Sequence, residues 1–157
     1  MNDVEAIFNQ RESFDLATAD ERRNTILSLQ VAIDKEGAIE PPPVNHYFAP
    51  GNYAREIFMP AGICVIGKIH KHAHVNVISQ GKVVVATEDG IVEMQAPYTF
   101  ISQSGTKRVV LVLEDTVWTT IHPTDETDLE KIEDEVIAKD YQELALYNRK
   151  QLEGVMP

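Results

Sequence analysis

Apolar residues recur along this chain with two different periods, and the change of period divides it. Thr18-Ala-Asp-Glu21 forms a capping box, in which the Thr18 hydroxyl can accept from the third helical amide while Glu21 reaches back. Ile26, Leu29 and Ile33 follow at helical spacing, with Gly37 as a stop, so the pattern predicts a helix over residues 19–36. Pro41-Pro-Pro43 then removes three amide donors and fixes φ, which makes a stiff extended connector.

From Tyr53 to His122 the period falls to two, in short runs rich in β-branched residues. Predicted strands are Arg55–Met59, Ile63–His70, His74–Gln80, Lys82–Thr87, Ile91–Gln95, Tyr98–Ser102, Arg108–Leu113 and Val117–His122. The breaks between them are Pro60-Ala-Gly62, Gly81, Glu88-Asp-Gly90, Ala96-Pro97, Ser104-Gly105 and Glu114-Asp115, with Asp89-Gly90 a hairpin signal because both residues tolerate positive φ. Short strands with no helix between them indicate an antiparallel sandwich or barrel, without parallel sheet. Helical spacing returns after a second capping box, Thr127-Asp-Leu-Glu130, in Leu129, Ile132 and Val136. A restart at Asp140-Tyr-Gln-Glu143 leads to Leu144, Tyr147 and Leu152, as a second helix or one kinked helix. Their apolar stripes must cover the outer face of the sandwich or a neighbouring subunit, which argues for a homo-oligomer. The chain thus reads as a helical extension and connector over 1–43, a β-barrel over 44–123 and an acidic helical extension over 124–157.

At 157 residues and 43 % apolar, the chain can bury a core without disulfides. Its lone cysteine, Cys64, sits in an apolar run and reads as a buried, inert thiol. Met1-Asn-Asp-Val-Glu-Ala lacks the basic start and apolar stretch of a signal peptide, and no segment approaches membrane-spanning length, so a cytoplasmic protein is expected. The net charge of −11 is carried by the flanks: residues 41–123 balance six acids against six bases, while 1–40 hold nine acids to four bases and 124–157 ten to four. Such a surface repels phosphate backbones, which excludes nucleic acid, and leaves solubility or docking on a basic partner as its use.

The densest chemistry lies in Gly67-Lys-Ile-His-Lys-His-Ala-His, where His70, His72 and His74 alternate. On an extended strand alternate residues share a face with Cβ atoms roughly 6.5–7 Å apart. Converging imidazoles hold zinc, iron, nickel or copper without cysteine. If a cation binds, His70 and His74 point into the barrel mouth from adjoining antiparallel strands, with His72 at the turn as third ligand or as rim; His122, ending the last predicted strand before Pro123, can reach the same opening, and His46 is the remaining imidazole. Lys68 shares strand parity with His70 and His72, and Arg55 and Tyr53 can approach from the first strand. Together these three would favour a carboxylate, phosphate or sugar ligand through charge-assisted hydrogen bonds. Trp118 reads as a packing residue between sandwich and helix.

The run Gly62-x5-Lys68-x-His70-x3-His74-x6-Gly81 resembles the first motif of the cupin superfamily, small jelly-roll barrels in which it reads Gly-x5-His-x-His-x3,4-Glu-x6-Gly. In that register Lys68 replaces the first His and His74 the Glu. An alternative register takes His70-x-His72 as the His pair and lacks the acid, since Asn76 and Ser79 occupy the nearby polar positions. The second motif is matched by Gly90-x6-Pro97-x-Thr99-x2-Ser102-x3-Thr106, with Ser102 where the family has its last His ligand. Pro43-Val-Asn-His-Tyr-Phe, Gly51-x-Tyr53-x-Arg55, Pro60-Ala-Gly62 and Asp115-Thr-Val-Trp-Thr-Thr-Ile-His122 also look like short cupin-type proteins of bacteriophages, which would place the chain in a virion.

The resemblance implies a cupin-like jelly roll with helical extensions. The expected function is a binding protein whose barrel mouth holds a divalent ion (zinc, nickel, iron or manganese) on His70, His72, His74 and His122, or a small anionic ligand near Lys68, Arg55 and Tyr53. Two alternatives stand beside it: a structural phage protein using the barrel as scaffold, and a metal-dependent isomerase or dioxygenase. The departures from both motifs count against a standard metal-dependent enzyme of this kind.

Overall fold

The computed structural model describes residues 3–37 and 40–155; Met1 and Asn2 of the segment read for a leader, and Ala38, Ile39, Met156 and Pro157 of the two extensions, lie outside the described residues. Three helices come first, α1 (Asp3–Asn9), α2 (Arg11–Leu16) and α3 (Ala19–Glu36), followed by strands β1 (Val44–Ala49), β2 (Asn52–Met59), β3 (Cys64–Ile66), β4 (Ile69–His70), β5 (His74–Thr87), β6 (Gly90–Gln95), β7 (Tyr98–Ser102) and β8 (Val109–His122). Helix α4 (Leu129–Val136), strand β9 (Ile137–Ala138) and helix α5 (Tyr141–Val155) complete the chain. The architecture is mainly β and antiparallel with helices at both ends, as expected of a jelly roll.

Strands β5 and β8 pair along nearly their whole length and form a spine. The first half of β5 also pairs with β7 and its second half with β6, while β8 takes β3 along its first half and β2, then β1 beyond it, along its second. Each long strand therefore serves two neighbours in succession, and the sheet curls around one interior. Met59, Ile78, Val83, Val85, Met94, Val110, Val112 and Trp118 fill that interior. On the other face of the sheet Ala86, Ile91 and Val109 pack against Ile7, Phe14, Ile26 and Leu29 of the N-terminal helices.

Gly81 sets which residues of β5 point inward. Before it, the even positions His74, Asn76 and Ile78 are buried; after it the register shifts, so Val83 and Val85 face the interior core while Ala86 turns to the helices. Gly81 has φ +94° and passes so close to β8 that an added Cβ would lie 2.4 Å from the Asp115 carbonyl oxygen and 2.7 Å from the Thr116 Cα. Both constraints act on backbone, which cannot swing aside. Gly81→Ala is expected to lower stability by about 2–3 kcal/mol in a denaturant titration; an unchanged midpoint would show that the bulge relaxes freely.

Several expectations need correction. Helices α1 and α2 and strand β1 were not predicted, and the predicted strand 63–70 is broken at Gly67-Lys68. The Gly81 and Glu114-Asp115 breaks are crossed by single fourteen-residue strands. In the β5–β6 hairpin only Gly90 has positive φ, so Asp89 does not use that freedom. The first capping box forms as predicted on α3, with Thr18 Oγ1 accepting from the Glu21 amide and Glu21 accepting from the Thr18 amide. The second does not, because Asp128 caps α4 while the Glu126 carboxylate takes the Thr127 and Asp128 amides. Cys64 is half-buried and borders the helical layer. Among the described residues no helix is long and apolar enough to cross a membrane.

The C-terminal segment closes one end of the interior. Strand β9 pairs with β4, joining Ile69 to Ala138 and His70 to Ile137, and Ile132 and Val136 of α4 pack on Tyr53 of β2. The apolar stripe of α4 thus covers the barrel mouth rather than the outer face of the sandwich.

Candidate metal centre

Three strands deliver three imidazoles to one point. His70 ends β4, His74 begins β5 and His122 ends β8, and the nitrogens they offer lie within 4.8 Å of one another. Ring centroids are 4.2 Å apart for His70–His74, 4.8 Å for His74–His122 and 5.4 Å for His70–His122. Each ring is held by backbone pairing: His74 lies opposite Ser102, His122 opposite Tyr53, and His70 opposite Ile137. The His70 carbonyl also accepts the Gly105 amide at 2.9 Å. The turn that follows is fixed by the Lys71 amide on the Val136 carbonyl at 2.8 Å and by Ser104 Oγ donating to the Lys71 carbonyl at 2.7 Å.

His72 does not join them. Residues 71–73 form a bend between β4 and β5, so strand alternation fails there, and the His72 ring meets the edge of Tyr147 with Nε2 3.5 Å from the Tyr147 hydroxyl. The expectation of a ligand at His72 is corrected on this ground. His46 lies apart as well, stacked on Tyr53 with its Nδ1 2.6 Å from the tyrosine hydroxyl.

The protonation of the cluster follows from its burial. Desolvation, reinforced by His74, His122 and Arg108 nearby, pulls the His70 pKa down to about 2, and desolvation with His74 and His72 pulls His122 down to about 4. His74 is lowered too, chiefly by burial. All three rings are therefore neutral at neutral pH, the state in which imidazole ligates a cation. His74 Nδ1 sits 3.3 Å from the His72 carbonyl oxygen, an acceptor, which makes Nδ1 the N–H and leaves a lone pair on Nε2. That Nε2 is buried and has no hydrogen-bond partner among the described residues, and a coordinated ion would satisfy it. Rotation of the rings can close separations of this size onto an ion with metal–nitrogen bonds of about 2.0–2.1 Å. The donor set of three neutral nitrogens without carboxylate therefore fits a divalent transition metal and would leave its charge uncompensated.

Beside the cluster lies a cavity of about 380 Å³. Ile57, Val110, Leu129, Ile132 and Val136 give it apolar walls, and His70 and His122 border it. Its polar lining includes all three side chains expected near the ligand. Tyr53 is 3 % exposed, and burial raises its hydroxyl above the usual pKa. Arg55 lines the mouth from β2, and Lys68 is ion-paired with Glu133 of α4, each partner more than half exposed.

Arg108, part of the two-residue basic pair Lys107-Arg108, also lines the cavity. Counting back from the buried Val112 and Val110 along β8 places Arg108 on the inward face, a signal that strand parity alone contained. Trp118, expected between sandwich and helix, is instead inside the barrel, donating from Nε1 to Asn76 Oδ1 at 3.0 Å.

The sequence matches no protein-family model and no curated protein. Among solved structures the chain is similar to a cupin-2 domain containing protein from Shewanella frigidimarina, at 14% identity over 58% of this chain and 90% of that one, with TM-score 0.45. It is also similar to an RmlC-like cupin family protein with a double-stranded β-helix fold from Methanocaldococcus jannaschii, at 11% identity over 57% and 85%, with TM-score 0.46. KdgF from a Halomonas species gives 16% identity over 59% and 91%, with TM-score 0.47.

Proposed function

We propose that this protein binds one divalent transition-metal ion on His70, His74 and His122 and presents an open coordination position to the adjoining cavity, where a small ligand is held. The observation that carries the reading is the convergence of three neutral imidazoles from three different strands, His74 and His122 buried and His70 half-buried, with one lone pair unpartnered among the described residues. Neutral nitrogen donors select zinc, nickel, iron or copper over calcium and magnesium, which require oxygen. Three protein ligands leave room for a fourth, as in sites where the ion engages an exchangeable group.

Metal analysis of protein purified without a histidine tag tests this, followed by titration of zinc into the metal-stripped chain. Wild type is expected to take up one ion. His74→Ala and His122→Ala should each weaken zinc binding by at least about a hundredfold, while His72→Ala should leave it unchanged because that ring faces Tyr147. Equal, near-zero occupancy in wild type and the His74→Ala variant would overturn the proposal. Loss of binding in His72→Ala would move the centre to the run of alternating histidines.

A further inference from the structure

Arg108 is 9 % exposed, and among the described residues no carboxylate reaches it. Its Nη2 donates to Ser102 Oγ, its Nε is buried without a partner, and its guanidinium carbon lies 5.8 Å and 5.6 Å from the Phe100 and Trp118 ring centroids. Burial lowers its pKa to about 10, with no opposing contribution from an acid, so it stays charged at neutral pH. A buried cation of this kind is costly unless an anion meets it, and ring faces compensate only in part.

The charges around the cavity do not cancel. Among the described residues, Arg55, Lys68 and Arg108 face a single lining acid, Glu133, which is already paired with Lys68. The neutral imidazoles add nothing negative, and a bound divalent ion would add two further positive charges. This excess sits inside a chain whose net charge is −11, so it is a local property of the cavity. The remaining walls are apolar, from Ile57, Leu129, Ile132 and Val136, and a volume of about 380 Å³ suits a molecule of modest size.

We propose that the cavity binds a small organic monocarboxylate with an apolar body, its carboxylate against Arg108 and its body against Ile57 and the inner face of α4. Guanidinium and carboxylate match as planar, doubly hydrogen-bonding partners. The open position of the metal would take a second carboxylate contact; that part rests on the metal reading, whereas the Arg108 contact does not.

Calorimetric titration of metal-stripped and zinc-loaded protein with benzoate and hexanoate, each against its alcohol, benzyl alcohol and hexanol, tests the inference, with inorganic phosphate as a further arm. In metal-stripped wild type the acids should bind at least about tenfold more tightly than the alcohols, and phosphate, which has no apolar body, should bind more weakly than either acid. Arg108→Met should abolish the preference for acid over alcohol, and Arg108→Lys, which keeps the charge, should restore part of it. The lysine variant also covers the case in which Arg108→Met fails to fold. Equal binding of acid and alcohol by wild type overturns the inference even if zinc binds. Preference for the acids in a protein that takes up no zinc supports it and removes the metal reading alone. Phosphate binding as tightly as the acids would contradict the apolar contact with α4.

Discussion

Acidification of the metal-free protein from about pH 7 to about pH 5 is expected to cost it stability steeply, on the order of 3 kcal/mol for each pH unit once His70 and His122 take part, with His74 adding in the same direction. The sign follows from which state takes up protons. In the unfolded chain each histidine titrates near about pH 6.5, whereas in the folded protein His122 is held down to about 4, His70 to about 2, and His74 below its usual value. Above the unfolded value both states are neutral and the contribution is complete. Below it the unfolded chain binds protons that the folded protein refuses, so stability falls until each ring reaches its own folded value. Bound zinc should oppose the loss, since it occupies the lone pairs that protons would take. Urea titrations at a series of pH values, with and without zinc, measure the slope. His122→Gln, which removes one titrating group, should flatten it by up to one proton, about 1.4 kcal/mol for each pH unit. A slope below one proton, or one identical in that variant, would mean that the rings are solvated rather than buried together.

Much of the barrel and part of its centre could be read from the chain. Alternation of apolar residues located β2, β6 and β7 closely, and the end of β8 brought His122 within reach of the first histidines. What escaped has physical causes. Residues 71–73 fall between two predicted strands, where alternation alone gives no direction for His72; Lys71 and Ser104 tie this segment into a bend, and that tertiary restraint turns His72 away. Gly81 looks like a strand break because glycine marks turns and bulges alike; only the close approach of Asp115 and Thr116 decides for a bulge. Arg108, in the short basic pair Lys107-Arg108, carries no ligand signal of its own, although its parity with Val110 places it inward. Helix α4 was recognised as amphipathic, but its partner, the barrel mouth around Tyr53, depends on the pairing of β9 with β4 over a separation no local pattern encodes.

Asn76→Ala is expected to destabilise the protein by about 4 kcal/mol, because one side chain joins three strands in the buried interior. Asn76 is fully buried on β5; its Nδ2 donates to Ser102 Oγ of β7 at 2.8 Å and to the His74 carbonyl at 3.3 Å, and its Oδ1 accepts Trp118 Nε1 of β8 at 3.0 Å. Alanine would leave the indole N–H without an acceptor and deprive Ser102 of one of the two donors it receives, the other being Arg108 Nη2. It would also open space that the surrounding strands cannot fill. Asn76 lies two residues from His74, and Trp118 four from His122, so the same hydrogen bonds fix the spacing of two cluster rings. The variant should therefore also bind zinc more weakly, by about tenfold. Denaturant titration of Asn76→Ala, Trp118→Phe and the double variant separates the joint contribution from the individual ones, and a coupling of about 1–2 kcal/mol is expected. Independent, additive losses would show that Asn76 and Trp118 contribute through packing alone, and that the metal centre keeps its geometry without them.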